Sequence, residues 1–545
     1  MDSASEITTG VRSGFLDRER IVARAGFNRW LVPPAALAIH LCIGMAYGFS
    51  VFWLPLSRAV GIGKPVACAA PGFWTALTAT ACDWRVVDLG WTYSLFFVVL
   101  GSAAAIWGGW LERAGPRQAG VVAAFAWCGG MAMFALGVHV HQLWLMLAGA
   151  ALGGVGLGLG YISPVSTLIK WFPDRRGMAT GMAIMGFGGG AVIGGPLANL
   201  LVAHFATPTD VGVWPAVLVL AAIYFVFMIG GALSYRVPPA HWRPDGWTPP
   251  TPHAGGLVAQ GHVHLRDAHR TPQFWLLWLM LCLNVSATIG VIGVASPMLQ
   301  EIFSGSLVGR PEVTFTALDP GQKAAVAAIG AGFVGLLSLF NIGGRFAWAS
   351  LSDRIGRRAT FFCFFLIGAV LYAAMPWAAH SGGRALFLAF FCVIASMYGG
   401  GFATIPAYLA DLFGTQFVGA IHGRLLTAWS TAGVVGPLLF NSVRDAQIGA
   451  GVARDHVYDN ALYVAAAFLV VGAIANLLVR PVARAWFMSA DDLASLNHAG
   501  LSTPGSFGIG RGGLTMALIL PWAAVGLPLA WGVWVTLQKA VILFG

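Results

Sequence analysis

The sequence predicts an all-α protein that crosses a membrane many times, and three observations carry that prediction. Only 10% of the 545 residues are charged and 58% are hydrophobic, whereas a soluble globular protein carries about 25% charged residues. Apolar runs of about 20 residues, the length that a membrane helix needs, recur along the whole chain. Motifs also repeat at an almost constant distance, which indicates a duplicated unit.

The apolar runs form two groups of six, and a thirteenth run from 514 to about 537 follows them. A β-barrel would instead show short alternating strands. We expect spans near 31–57, 89–111, 118–138, 142–169, 178–204, 212–235, 273–303, 322–350, 359–379, 384–412, 417–443 and 457–479. The predicted first half is an N-terminal arm (1–29) and a six-helix bundle (30–235), followed by a linker rich in Pro, Gly and His (236–271). The predicted second half is another six-helix bundle (272–480), a connector (481–512) and an extra transmembrane helix (513–545).

The two groups of six are copies of one unit. The motif ERAGPR at 112–117 returns as DRIGRR at 353–358, which is 241 residues later, and Pro164 is matched by Pro406 at 242. Parallel repeats of this kind are typical of secondary transporters, whose substrate site lies at the membrane midplane between the halves. We therefore expect two bundles related by a pseudo-two-fold axis.

The distribution of charge predicts the orientation. The net charge is +10, but the basic residues concentrate in alternate loops, and the loops around 139–142 and 205–212 contain no Lys or Arg. This is the positive-inside pattern of a membrane protein rather than a nucleic-acid surface, and it places the N-terminus in the cytoplasm. A spanning thirteenth helix would then leave the C-terminus outside. The arm before Trp30 has no apolar core, so we expect no cleavable signal peptide.

Catalytic and nucleotide-binding motifs do not stand out. The sequence lacks GxxxxGK[ST], which argues against ATP-driven pumping, and no hydrolase constellation supports an enzyme or a cofactor. The glycine strings at 153–160 and 186–195 lie in predicted spans, where small residues let helices pack closely. The linker histidines are irregularly spaced and have no cysteine beside them, so we expect no metal site at His241, His253, His262, His264 and His269.

One arginine lies inside an apolar span. Arg345 precedes Asp353 by eight residues, which corresponds to about 12 Å along a helix. An arginine that deep costs roughly 2.5–3.5 kcal/mol even on the mildest scale, and its counterpart in the first half is Ala104. No acidic residue is predicted at similar depth, so two interpretations stay open: a substrate carboxylate bound bidentately, or an arginine satisfied by backbone carbonyls and Asn341.

The charged motif also carries a family resemblance. ASLSDRIGRR resembles the loop motif of the major facilitator superfamily, with Ala349 where a Gly is usual, and GGWLERAGPR is a looser copy with Pro116 in place of a basic residue. The combination of YGFSVFWLPL, HWRPDGW, NIGGR and GAIHGRLLTAW resembles the oxalate/formate antiporter family over residues 30–480. The last segment resembles the single-span small subunit sometimes found beside such transporters.

The resemblance implies a substrate site. In the family, the arginine at the position of Arg345 binds the substrate carboxylate, and aromatic residues cage the anion, here at Tyr47, Tyr161, Tyr398, Phe402 and Trp429. Family antiporters for the oxalate dianion carry a lysine after Thr-Ala, where this chain has Trp429. With one fixed positive charge the site favours a monoanion. His40 lies on the same face as Tyr47, and it is either a second, pH-dependent charge or a packed neutral histidine.

The charged motifs and one loop complete the set of candidate residues. We expect gating contacts from Glu112, Arg113, Arg117, Asp353, Arg354, Arg357 and Arg358. Cys68 and Cys82 share one loop and form either a disulfide or two free thiols. A disulfide is an option because that loop is predicted to face an oxidising compartment.

The predicted function is secondary transport of small carboxylates across a bacterial-type inner membrane, by oxalate/formate-type exchange with a leaning to monocarboxylates. We expect a monomer in the lipid bilayer whose thirteenth helix packs on the bundle. One alternative is proton-coupled monocarboxylate symport with His40 as the titrating group. An alternative of another class is a non-transporting sensor or scaffold whose thirteenth helix docks a partner.

Overall fold

The computed structural model describes residues 14–62, 64, 66–68, 72–239, 242–248, 257–381, 383–493 and 516–543. Within these ranges the chain is almost entirely helical, and pairing between extended segments is limited to isolated bridges such as Val22 with Val237. Twelve of the described helices are long and apolar enough to cross a membrane. The predicted all-α membrane architecture is therefore confirmed.

The first half consists of six spans, and its first span is irregular. The helices are α1 (Arg29–Leu56), α2 (Val86–Ala114), α3 (Pro116–His139), α4 (Leu143–Trp171), α5 (Arg176–Phe205) and α6 (Val213–Ser234). Within α1, the segment Gly44–Phe52 tightens into a 3-10 helix. A Cβ at Gly44 would lie 2.1 Å from the Phe187 carbonyl oxygen, so only glycine lets α1 approach α5 this closely. This approach brings Tyr47 to Phe187.

The second half repeats the arrangement with one difference. Its helices are α7 (Pro272–Gly293), α8 (Pro320–Ile355), α9 (Arg357–His380), α10 (Arg384–Phe413), α11a (Val418–Leu425), α11b (Thr427–Gly449) and α12 (Asp459–Leu478), followed by α13 (Met516–Ala540). The eleventh span is thus two helices joined at Leu426, where the sequence predicted one. A short helix, Ala295–Phe303, extends the seventh span.

The charged motifs of both halves lie at one end of the bundle, which we call the motif end. There the turn from α2 to α3 passes through Gly115 with φ +90°, and the turn from α8 to α9 through Gly356 with φ +86°. Side-chain-bearing residues rarely adopt such angles. The opposite end carries Cys68 and Cys82, and we call it the disulfide end.

Two equivalent helix pairs join the halves near the motif end. A Cβ at Gly181 of α5 would lie 2.7 Å from the carbonyl oxygen of Arg345 on α8. A Cβ at Gly423 of α11a would lie 2.3 Å from the carbonyl oxygen of Ala104 on α2. Both glycines let helices from opposite halves touch backbone to backbone.

The thirteenth helix lies against both halves. Trp522 of α13 donates from Nε1 to the carbonyl oxygen of Trp30 at 3.1 Å, and Gly532 faces Val192 of α5. On the other half, Gly332 of α8 lies against the backbone of α13. Most of α13 remains exposed, as expected for a helix at the edge of a bundle in lipid.

The described part of the linker covers the motif end of the second half. The Val263 N–H donates to the Phe413 carbonyl oxygen at 2.9 Å. A Cβ at Gly414 would lie 2.4 Å from Nδ1 of His262, and burial, with Arg176 and Lys170 nearby, lowers the pKa of His262.

The linker histidines make separate contacts. Nδ1 of His262 accepts from the Gln416 N–H, and His264 caps the helix Leu265–Ala268. His269 Nδ1 lies 2.8 Å from Arg424 Nη1. His241 and His253 lie outside the described residues.

Candidate functional site

Arg345 of α8 lies against α5 of the other half and is 1% exposed. Its Nε donates to the Asn341 side-chain oxygen at 2.9 Å, and its Nη1 donates to the Ile184 carbonyl oxygen on α5 at 3.2 Å. Its Nη2 has no hydrogen-bond partner among the described residues. The interpretation in which Asn341 and carbonyls satisfy this arginine therefore holds for two of its three nitrogens.

The described carboxylates near the helix ends are paired elsewhere. No ion pair within 4.0 Å reaches Arg345 from the described residues. Glu301 binds Arg444 and Arg454 at the disulfide end, and Asp411 binds arginines at the motif end. Arg345 is thus a buried cation for which no carboxylate among the described residues is a counter-ion.

Aromatic rings surround Arg345 on several sides. The guanidinium carbon lies 5.7 Å from the Phe402 ring centroid and 6.0 Å from that of Phe187, distances at which a cation interacts with an aromatic face. The Tyr47 and Tyr398 hydroxyls are 3.4 Å apart, one from each half. The structure brings together the five predicted aromatic residues, which are Tyr47, Tyr161, Tyr398, Phe402 and Trp429.

Trp429 lies at the centre of this aromatic group. Its ring centroid is 4.6 Å from Phe402, 5.5 Å from Tyr161 and 5.6 Å from Phe187. Its Nε1 and the Tyr161 hydroxyl are buried without a hydrogen-bond partner among the described residues. Two uncharged donors therefore accompany the unpaired nitrogen of Arg345.

Two phenylalanines and one histidine that were not predicted as site residues also contact the aromatic group. Phe187 lies inside a glycine string that was interpreted only as packing, and the Phe97 ring lies 5.0 Å from that of Trp429 in a tilted arrangement. The His422 ring lies 5.9 Å from that of Tyr161, and neither of its nitrogens has a partner among the described residues. A histidine within an apolar span was the available signal.

His40 binds two backbone carbonyls. Its Nδ1 lies 2.5 Å from the Ala183 oxygen and its Nε2 lies 3.1 Å from the Tyr161 oxygen. A neutral imidazole has only one N–H, so only the protonated ring can donate to both oxygens. The side chain of His40 is fully buried in α1.

At the motif end, Glu112 connects the halves. It accepts from Ser166 at 3.0 Å and from Lys170 at 2.5 Å within its own half. It also accepts from the backbone N–H of Gly419 at the start of α11a, at 2.9 Å. The carboxylate thus lies at the positive end of a helix from the other half.

Asp353 makes the equivalent connection from the second half. It accepts from the N–H groups of Gly177 and Met178 at the start of α5, both at 2.8 Å. Arg357 binds it at 2.7 Å and reaches Asp411 at 3.1 Å. Arg176 of the first half also binds Asp411, at 2.9 Å.

The other four predicted gating residues, like Arg357 itself, make no described hydrogen bond or ion pair to the opposite half. Arg117 donates to carbonyls of Phe15 and Leu233 in its own half. Arg358 donates to Leu477 in its own half. Arg113 and Arg354 are exposed.

The disulfide end holds the loop between α1 and α2. Cys68 and Cys82 are joined in a disulfide bond with their Cα atoms 5.1 Å apart. Asp83 accepts from the N–H groups of Val60, Gly61 and Val66 at 2.7–3.0 Å. The loop is thus held at both of its ends.

Comparisons of the sequence with known proteins find a matching family and related transporters. A family model described as Major Facilitator Superfamily matches residues 67–437. The oxalate:formate antiporter of Oxalobacter formigenes is 24% identical over 473 residues, which are 86% of this chain and 96% of the relative. Apicoplast pyruvate carrier 1 of Toxoplasma gondii is 25% identical over 391 residues, which are 62% of this chain and 66% of the relative.

A solved structure shares the fold. A crystal structure of the E. coli fucose:proton symporter superimposes with a TM-score of 0.56 at 15% identity, covering 83% of this chain and 99% of the symporter. At this identity the likeness concerns the fold alone.

Proposed function

The chain belongs to the Major Facilitator Superfamily, and from that premise we propose that it transports a small carboxylate anion by alternating access, with Arg345 binding the carboxylate. One observation carries the proposal: Arg345 is 1% exposed, has an unpaired Nη2 and has no carboxylate within 4.0 Å among the described residues. A buried, unpaired charge is costly, so a substrate anion is the natural counter-ion. The relatives named as an oxalate:formate antiporter and a pyruvate carrier support this substrate class.

The charge of the site favours a monoanion. Arg345 is the one fixed cation among the described residues that line the aromatic group, and Trp429 is the neutral residue where the family's oxalate carriers have lysine. Two carboxylates facing one guanidinium would leave a net negative charge in a low-dielectric cavity.

Two uncharged hydrogen-bond donors beside Arg345 narrow the proposed substrate class further. Trp429 Nε1 and the Tyr161 hydroxyl are buried without partners among the described residues, although buried polar groups are nearly always hydrogen-bonded. A substrate with an uncharged oxygen beside its carboxylate would accept from them. The preferred substrate is therefore a short 2-oxo or 2-hydroxy monocarboxylate rather than formate or oxalate.

Proteoliposome uptake tests these statements. We expect the protein to take up labelled pyruvate and lactate better than formate or oxalate, and Arg345→Gln to lose that uptake. Trp429→Lys should gain oxalate uptake, because it adds a second cation. Trp429→Phe keeps the ring but lacks the N–H, so it should lower affinity for pyruvate by about 2- to 10-fold, the value of one neutral hydrogen bond.

A matched control is Arg480→Gln, which removes an exposed arginine beyond α12. Normal uptake by Arg345→Gln would overturn the central proposal. A wild-type preference for oxalate over every monoanion would overturn the charge argument. No carboxylate flux at all in a folded preparation would favour the sensor or scaffold function.

The mode of transport has two candidates. We propose exchange first, because a site that contains an unpaired cation reorients more readily when an anion neutralises it. Proton symport is the second candidate, since the two carbonyls that face His40 favour its protonated ring, and an anion on Arg345 would offset that added charge. Exchange requires internal substrate and ignores a proton gradient, whereas symport follows an inward proton gradient and loses that dependence in His40→Gln.

Gating follows from the motif end. We propose that Glu112 and Asp353 close that end by capping α11a and α5 of the opposite half, and that opening breaks both caps. We further propose that the motif end faces the cytoplasm of a bacterial-type cell. The basic loops there support this orientation, and so does the disulfide at the other end, because disulfides persist in oxidising compartments.

A further inference from the structure

Two imidazoles and a carboxylate meet at the disulfide end of the second half. His380 ends α9, His456 lies in the loop before α12, and Asp459 begins α12. His380 Nε2 lies 3.0 Å from Asp459 Oδ2, and His456 Nδ1 lies 3.0 Å from the same oxygen. The two imidazole rings stack with centroids 3.8 Å apart. Three potential ligand atoms thus face one small volume.

The separations suit a small metal ion. One ligand atom from each residue lies within 4.8 Å of the others. A tetrahedral zinc ion with bonds of about 2.0–2.1 Å holds its ligands about 3.3 Å apart, so the observed 3.0 Å separations need only a slight opening. The side chains of His380 and Asp459 are 25% and 21% exposed, which leaves access for the ion and for water as a fourth ligand.

The donor set selects the kind of ion. Neutral imidazole suits zinc, copper and nickel, whereas calcium and magnesium prefer sites made of oxygen ligands only. Asp455 Oδ2 lies 3.8 Å from His456 Nε2, the ring nitrogen that is not near Asp459, so a small shift would bring the two into hydrogen-bond distance. A carboxylate on the outer nitrogen of a ligating histidine fixes its tautomer and strengthens the metal bond.

We propose that His380, His456 and Asp459 bind a divalent first-row transition cation, with zinc as the best fit, and thereby link the end of α9 to the start of α12. The competing arrangement is a hydrogen-bonded cluster in which both neutral rings donate to Asp459 and no ion is bound. The metal site uses no residue of the Arg345 site, so it stands or falls independently of the transport function.

Calorimetric titration with zinc alone tests the proposal on the full chain, purified without a polyhistidine tag. We expect one equivalent of zinc to bind, to raise the unfolding temperature, and to be lost in both His380→Ala and Asp459→Asn. Asp455→Asn should still bind zinc, with about 10-fold weaker affinity, because it removes the carboxylate beside the outer nitrogen of His456. The matched control is His204→Ala, an exposed histidine at the disulfide end of the first half, which should bind zinc like the wild type.

Cobalt provides an independent readout, since its visible absorption reports four- or five-coordinate binding. Zinc binding that persists unchanged in both His380→Ala and Asp459→Asn would overturn the proposal and point to histidines elsewhere, such as those of the linker. A wild-type protein that binds no zinc would also overturn it and leave the hydrogen-bonded cluster. Unfolding of each variant without metal is measured in parallel, so that misfolding is not mistaken for loss of the site.

Discussion

The pair α5–α8 and the pair α2–α11a are the same helix contact made twice, once around a charge and once without it. In the first pair Gly181 faces the backbone of Arg345, and in the second Gly423 faces the backbone of Ala104. The helices pack backbone to backbone in both pairs, so the contact does not need the guanidinium. The duplicated architecture provides the same backbone position in both halves, and only the second half has a cation there, at Arg345. A single cation at one of two equivalent positions is consistent with an anion-binding role rather than a structural one.

The two halves also differ at the motif end. Glu112 accepts one backbone N–H from the opposite half, whereas Asp353 accepts two. At equivalent positions, Lys170 pairs directly with Glu112, while Asp411 is bridged to Asp353 through Arg357. Asp411 also binds Arg176 of the first half. The connection formed around Asp353 therefore holds the halves together through more bonds than the one around Glu112.

The largest expected effect comes from removing the charge that distinguishes the two helix pairs. Arg345→Gln should lower carboxylate uptake by 100-fold or more, because it removes the buried charge–charge contact with the substrate. The unfolding temperature should not fall, since the equivalent helix contact at Ala104 forms without a charge. A variant that unfolds at a clearly lower temperature would indicate a structural arginine instead. Uptake and unfolding measured on the same preparation separate these outcomes.

The next effect concerns the motif end. Asp353→Asn should raise the rate of hydrogen exchange at residues 177 and 178, because the neutral amide loses charge-assisted bonds worth about 1.5–3 kcal/mol each. Loss of one such bond corresponds to an exchange rate that is roughly 10- to 100-fold higher. Glu112→Gln should raise exchange at residue 419 by less. Exchange measured by mass spectrometry on peptides covering α5 and α11a compares the two. Equal changes at both sites would show that the connections are equivalent in strength, contrary to the geometry.

A smaller effect is expected for α13, which no duplicated element matches. Because α13 contacts α1 and α5 on one half and α8 on the other, it must slide against them when the halves move. Deletion of residues 494–545 should therefore speed substrate transport several-fold. Gly532→Leu should act similarly, since a side chain there meets the Val192 carbonyl oxygen. Leu527→Ala is the matched control, as Leu527 is 71% exposed. Complete loss of transport after deletion, in a folded protein, would show that α13 is required rather than restraining.

The spans, the duplication and the burial of Arg345 could be predicted from sequence, because hydropathy, spacing and the cost of an exposed charge in lipid are local or periodic properties. The break at Leu426 could not be predicted, since neither Gly nor Pro occupies that position. The roles of Phe97 and Phe187 were hidden because every span is rich in apolar residues. His380 and Asp459 are 79 residues apart, so only the fold reveals that they meet.

The smallest expected effect is pH-dependent and concerns the linker, which covers the motif end of the second half. His262 lies against Gly414 and accepts from the Gln416 N–H, with Arg176 and Lys170 as the charged groups that face it. Burial, reinforced by these two cations, lowers its pKa below the ordinary value of 6.5. The folded state therefore binds fewer protons than the unfolded state, so stability rises with pH through this region and falls as pH drops below about 6.5. Unfolding temperature measured from pH 7.5 to pH 5 should decrease in the wild type and decrease less in His262→Gln, which keeps a side-chain acceptor. An identical pH dependence in both proteins would assign the effect to other groups, and the contact between His262 and Gly414 would then be one of packing alone.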